Sequence, residues 1–271
     1  MRLVIKYIFL GYLIVLSNNG LPQCKINKVT SFQTGEKITF KVFYHWIEYN
    51  YAANATFLVD QKMLQNEPVY FFNATGYTNK KFDWIFKVCD KFQSCVSTRT
   101  LIPYHATHET SEGKYFAREN YDFTLSGHVL TEIENSDHAF KRDTIQVSSC
   151  VFDLLTLIYY TRTIDFTNYN ENDQIPVNLV DNGIIHPIYI RYLKRDIIKN
   201  RVDNKKYKCI ELSVLCVNGP AFQDGENLKI WLSDDANKLP IVIQANIHVG
   251  VLYAYLSSMA GLCHHLDVIV N

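Results

Sequence analysis

Residues Leu228 to Leu256 read LKIWLSDDANKLPIVIQANIHVGVLYAYL. Two apolar runs rich in β-branched and aromatic residues flank a polar turn, Ser233-Asp234-Asp235-Ala236-Asn237-Lys238. Alternation with period two on either side of such a turn predicts a β-hairpin. Ile230, Leu232, Ile241 and Ile243 are expected on one face of it. Pro240 opens the return strand, where the missing N–H is tolerated. Gly250, inside the apolar run, predicts a bulge or a close approach.

The same pattern extends outward along the chain. Lys37 to Trp46 alternates with Ile38, Phe40, Val42, Tyr44 and Trp46 on one side. Ala53 to Met63 and Val69 to Tyr77 read as the next strands, so the acceptor-like triplets at Asn54 and Asn73 are taken as strand residues. Lys80 to Val88 fits a short helix or an irregular turn. Strands follow over Asp90–Ser97, Tyr104–Thr110, Lys114–Leu125 and Val129–Glu134. Asn182-Gly183 between Val177–Asp181 and Ile184–Leu193 is the strongest short hairpin signal in the chain. Tyr207 to Val217 is a further strand. Ser148 to Thr163 predicts the one clear helix, capped by Ser148 or Ser149. Its apolar face is broader than a surface helix needs, which implies burial against a sheet. The fold class expected is therefore mainly β: one large curved antiparallel sheet, or a two-layer or half-barrel arrangement, with one buried amphipathic helix at about 148–163.

Composition narrows the function. The 271 residues carry 27 basic and 27 acidic side chains, so there is no basic field to hold nucleic acid. Arg2, Lys6 and the apolar run Tyr7 to Leu16 have the form of a signal peptide over residues 1–20, leaving 21–271 as a single β-rich domain. Nothing later reaches the length of a transmembrane helix. The mature protein is expected outside the cytoplasm, periplasmic or associated with the outer membrane. A lipid anchor at Cys24 is the less favoured alternative, because Gln23 precedes it. Cys209 and Cys216 lie in one strand, roughly 23 Å apart and on opposite faces, too far for a disulfide. No C-x-x-C occurs, and no metal site or cofactor is expected.

The string WLSDDANKLPIVIQANIHVGVLYAYL resembles the C-terminal signature of the exported bacterial domain-of-unknown-function family 3108. SFQTGEKITFKVFY, KVCDKFQSCVSTRTLIPYHATHETSEGKY and LLTLIYYTRTID are similar to that family in the same order, so the likeness spans roughly residues 31 to 262. Cys89 and Cys95 depart from the pattern. The family has no established activity, so the resemblance implies membership and no catalytic residues.

Candidate chemistry is sparse. Asp234 and Asp235 are read as turn residues. His105 and His108 diverge if their segment is a strand, and His264-His265 beside Cys263 lacks a companion cluster. Arg162 with Asp165 is read as an ion pair at the helix exit, or as a ligand-facing arginine. No catalytic motif is present. The leading reading is a non-catalytic envelope protein holding a lipid-like, apolar or amphipathic ligand in a half-barrel hollow, an analogy to periplasmic lipoprotein carriers. One alternative is a carbohydrate-binding or carbohydrate-active protein that stacks envelope glycan on Trp46, Trp84 and Trp231. Another is a structural or assembly partner using a sheet edge.

Overall fold

A computed structural model describes residues 29–44, 51–84, 87–124, 126–147, 150–216, 225–248 and 250–270. The chain begins with β1 (Lys37–Tyr44), β2 (Ala53–Leu64), β3 (Glu67–Thr78) and β4 (Cys89–Ser97). It continues through β5 (Pro103–Glu112), β6 (Tyr115–Phe123), β7 (His128–Asn135) and β8 (Lys141–Gln146). A two-residue strand, β9 (Val151–Phe152), leads into α1 (Leu154–Thr161). After the helix come β10 (Gln174–Asp181), β11 (Ile184–Lys199), β12 (Lys206–Cys216) and β13 (Gly225–Ser233). The last strands are β14 (Pro240–Ile247), β15 (Gly250–Ala260) and β16 (Ile269–Val270).

All of these strands belong to one sheet, ordered β8-β7-β6-β5-β4-β3-β2-β1-β15-β14-β13-β12-β11-β10-β9, with β16 beside β12. Two meanders, each pairing sequence neighbours, are joined at its middle by β1 and β15, where Lys37 faces Ala260. The pairings are antiparallel apart from the parallel contact of β9 with β10. The curved, mainly β sheet with one buried helix is as the sequence predicts.

Local chemistry sets the helix shorter than the predicted 148–163. Asp153 is its N-cap, accepting from the backbone of Leu155 at 3.0 Å and Thr156 at 3.1 Å; a short acceptor side chain there satisfies otherwise orphaned N–H groups. Residues 148 and 149, the expected caps, lie outside the described residues, and Val151–Phe152 is strand. Leu155 and Tyr159 pack with Phe32, Phe72 and Val96. Leu157 and Tyr160 join Ile175, Ile190, Leu212 and Leu232 on the other side. A helix apolar on both flanks is an interior element, and α1 packs chiefly on β3, β4, β9 and β10.

Three other expectations change. The stretch 228–256 is three strands, not a two-stranded hairpin, because Gly250 (φ +138°) begins β15. A Cβ there would meet the Tyr44 hydroxyl at 2.9 Å, so the close approach is real. A register shift between Trp231 and Leu232 sends Ile241 into the cluster of Trp231 and Val242, away from Leu232. Residues 80–84 form turns, with 85 and 86 outside the described residues. The strand β8, almost wholly exposed, was not predicted, since KRDTIQ has no apolar alternation. The predicted leader, Cys24 and Trp46 also lie outside the described residues.

The sheet is open in hydrogen bonding but its ends meet. Val151 and Val180 pack with Ala106, Tyr121 and Val129 from the opposite end of the strand order. The β10–β11 turn donates from the backbone of Asn182 to Glu119 Oε2 (3.2 Å) and from Gly183 to the Tyr121 hydroxyl (3.4 Å). The sheet is thus rolled, with a seam between β5–β7 and β9–β11.

Candidate functional site

Register defines the inner face of the roll, the side that carries α1. Across β13, β14, β15, β1 and β2 one inner row is Ile230, Ile243, Ala254, Val42 and Ala53. The next row is Leu228, Ala245, Leu252 and Tyr44. The intervening residues point outward and include Lys41, Asn54, Lys229 and Gln244. All nine inner residues are half-buried rather than buried. Fully covered sheet faces bury such side chains; these five strands instead present a small-residue apolar strip beyond the part that α1 covers.

Two buried charge clusters flank this strip. In the first, Arg162 and Glu36 are each 1% exposed and form a bidentate pair at 2.5 and 2.8 Å. The guanidinium also donates to the carbonyls of Ser31 (2.9 Å) and Asn237 (3.1 and 3.2 Å). The rings of Phe32 and Tyr159 lie 5.4 and 5.5 Å from its carbon. Asn237 in turn donates to the carbonyl of His264 and accepts from its N–H. Arg162 therefore fastens the N-terminal segment, the helix exit and the β13–β14 turn together. Its partner is not Asp165, which accepts from the backbone and hydroxyl of Thr167.

The second cluster sits on the inner face at the seam. His108 and Glu119 are cross-strand partners on β5 and β6. His108 Nδ1 lies 3.7 Å from Glu119, and Nε2 lies 3.9 Å from Asp153. Asp181, the last residue of β10, completes a group with His108 and Glu119. Asp153 is held by the Ser94 hydroxyl at 2.5 Å and by the Thr156 hydroxyl as well as the two backbone amides. The Tyr121 hydroxyl donates to Glu119. Burial disfavours the imidazolium of His108, but Asp153 and Glu119 outweigh it and lift the group to about 9. Burial likewise opposes ionisation of Asp153, yet His108, Ser94 and Thr156 hold it below the usual carboxylate range. Asp181 is pushed up by burial and by the charge of Glu119.

The tryptophans do not form a joint stacking surface. Trp84 is 82% exposed, its indole donating to the Lys81 carbonyl at 3.0 Å. Trp231 is 9% exposed on the outer face, packed with Tyr207, Cys209 and Val268, and its Nε1 has no hydrogen-bond partner. Asp234 bonds Arg195, while Asp235 accepts from Ser233 and the turn backbone. His105 pairs with Asp122 at the surface, so it and His108 do diverge. Cys89, Cys95, Cys209, Cys216 and Cys263 are free. Cys150 is disulfide-bonded, and its partner is not among the described residues.

The model of the family described as "Protein of unknown function (DUF3108)" matches residues 39–257. A β-barrel-like protein of domain of unknown function DUF1849 from Brucella abortus superposes with a TM-score of 0.51 at 6% identity, over 85% of this chain and 98% of that one. A protein of YmcC-like fold from Bacteroides fragilis aligns over 86% of this chain and 99% of that one, with 8% identity and a TM-score of 0.34. No curated protein matches. The first likeness shows a common fold and assigns no activity.

Proposed function

The chain belongs to the DUF3108 family, and from that membership and the open apolar strip we propose an exported, non-catalytic envelope protein that holds an acyl chain or similar amphipathic ligand on the inner sheet face. The observation that supports this is the pair of inner rows centred on Ala254, Leu252, Val42 and Ile243, apolar yet half-buried. Covering a ligand chain of about ten methylenes at about 0.8 kcal/mol each gives roughly 8 kcal/mol before the cost of association. That is enough for reversible capture and too little for permanent retention, as a carrier or sensor requires.

Export is supported by two independent features. The first twenty residues have the form of a signal peptide. The disulfide at Cys150 suits an oxidising compartment. No helix among the described residues is long and apolar enough to cross a membrane. The glycan reading now rests on Trp84, exposed on a turn without a second aromatic beside it on record.

Native mass spectrometry of the mature protein, purified without detergent from its own envelope, tests the reading. The expected result is a reproducible extra mass that extracts into organic solvent. Replacing Ala254→Trp should fill the strip and abolish that mass while the protein still melts cooperatively. An unliganded wild-type protein that also takes up no fatty acid from solution would sink the proposal.

A further inference from the structure

We infer that His108, Glu119 and Asp181 form a divalent-cation site of the zinc class, clamping the seam where the two ends of the rolled sheet meet. The three side chains come from β5, β6 and β10, and their ligand atoms all lie within 4.8 Å of one another. This is the one such group among the described residues. Tetrahedral coordination at about 2.1 Å would place the ligand atoms about 3.4 Å apart. Loading therefore needs a contraction of roughly 1 Å, across a seam held by two hydrogen bonds from the β10–β11 turn.

The independent observation is the histidine itself. His108 is 3% exposed, and its Nε2 is buried with no hydrogen-bond partner. A buried ring nitrogen left without a partner is uncommon and calls for an explanation. Coordination through Nδ1, on the Glu119 side, fixes the proton on Nε2 and turns that nitrogen toward Asp153. Carboxylate–histidine–metal is the usual arrangement behind a coordinating imidazole. Asp153 is already oriented for it by Ser94 and by the first turn of α1. Charge argues the same way: Glu119, Asp153 and Asp181 face a single imidazole, an imbalance that a dication removes. The donors are nitrogen and oxygen, which suits zinc or manganese over the soft cations.

The test uses the full mature chain stripped with EDTA, then titrated with Zn²⁺ by calorimetry and with Co²⁺ by absorption. The expected result is one equivalent bound, a raised melting temperature, and visible cobalt bands without sulfur-to-metal charge transfer. His108→Gln and Asp181→Asn should each weaken binding by at least about tenfold. Asp181→Asn is nearly isosteric at a strand end, so it keeps the test decisive if His108→Gln fails to fold. Three results would overturn the inference: no retained metal, uptake unchanged in a folded Asp181→Asn variant, or a thiolate charge-transfer band. The last would move the metal to Cys263, His264 and His265.

Discussion

Arg162–Glu36 and His108–Glu119–Asp153 are both charge clusters buried inside the roll, yet they are built to opposite standards. The arginine meets five oxygen contacts between 2.5 and 3.2 Å. The histidine ring meets carboxylates at 3.7 and 3.9 Å, beyond hydrogen-bond length. Burial of charge is tolerated where hydrogen bonds replace water. The first cluster fulfils that condition within the protein and serves architecture. The second leaves its central group short of partners, which marks it as the place where something else fits.

The largest expected effect comes from breaking the better-built cluster. Arg162→Met leaves Glu36 buried without a counter-charge and should cost about 3–5 kcal/mol in urea denaturation. Adding Glu36→Leu should restore at least half of that loss; a double variant as unstable as the single one would mean the pair acts through packing alone. Next in size is Asp153→Ala, which removes the helix cap and strands the Ser94 hydroxyl, for about 2 kcal/mol. Asp153→Asn should cost less, because the cap survives. Equal losses would show that charge, not capping, dominates at Asp153.

A smaller effect lies outside both clusters, at Asp90. Burial raises its carboxyl to about 6, the Ser111 N–H opposes this, and Glu112 adds to it. Its folded value lies above the ordinary 3.8, so the cost is absent when both states are protonated and grows as pH rises through 6. Since the residue is partly exposed, Asp90→Asn should gain about 1 kcal/mol at about pH 8 and nothing at about pH 3. A gain at both pH values would trace to something other than ionisation. The smallest effect is kinetic. Alkylation of the native protein should reach exposed Cys89 first and buried Cys209 last, its thiol pushed up to about 12 by burial and by Asp234. Rapid labelling of Cys209 would contradict its packing beside Trp231.

Much of this fold was legible in local pattern. The Asn182-Gly183 turn forms a hairpin as expected, with Asn182 and Gly183 both at positive φ, because few other residues adopt that geometry. The charged strand β8 escaped because an edge strand facing water has no reason to alternate. The seam cluster was less accessible still. Asp153 could have been flagged as a cap directly before LLTL. Glu119 and Asp181 acquire their role only from register and from the rolling of the sheet, neither of which a linear pattern encodes. His108 was set aside because His105 points away, and that divergence is correct; its real neighbours come from other strands.

The pairing of β1 with β15 also sets a timetable. Each meander zips from sequence neighbours, but β1 cannot be sealed until residues near 260 arrive. A chain emerging from its N-terminus must therefore keep an unpaired strand edge through most of its synthesis, in the very position where chains stick to one another. Long-range closure of this kind is slow. Loss of the final fifteen or so residues of the sheet's core would convert a protected central strand into a permanent adhesive edge, so C-terminal truncation should produce aggregates rather than a smaller soluble protein.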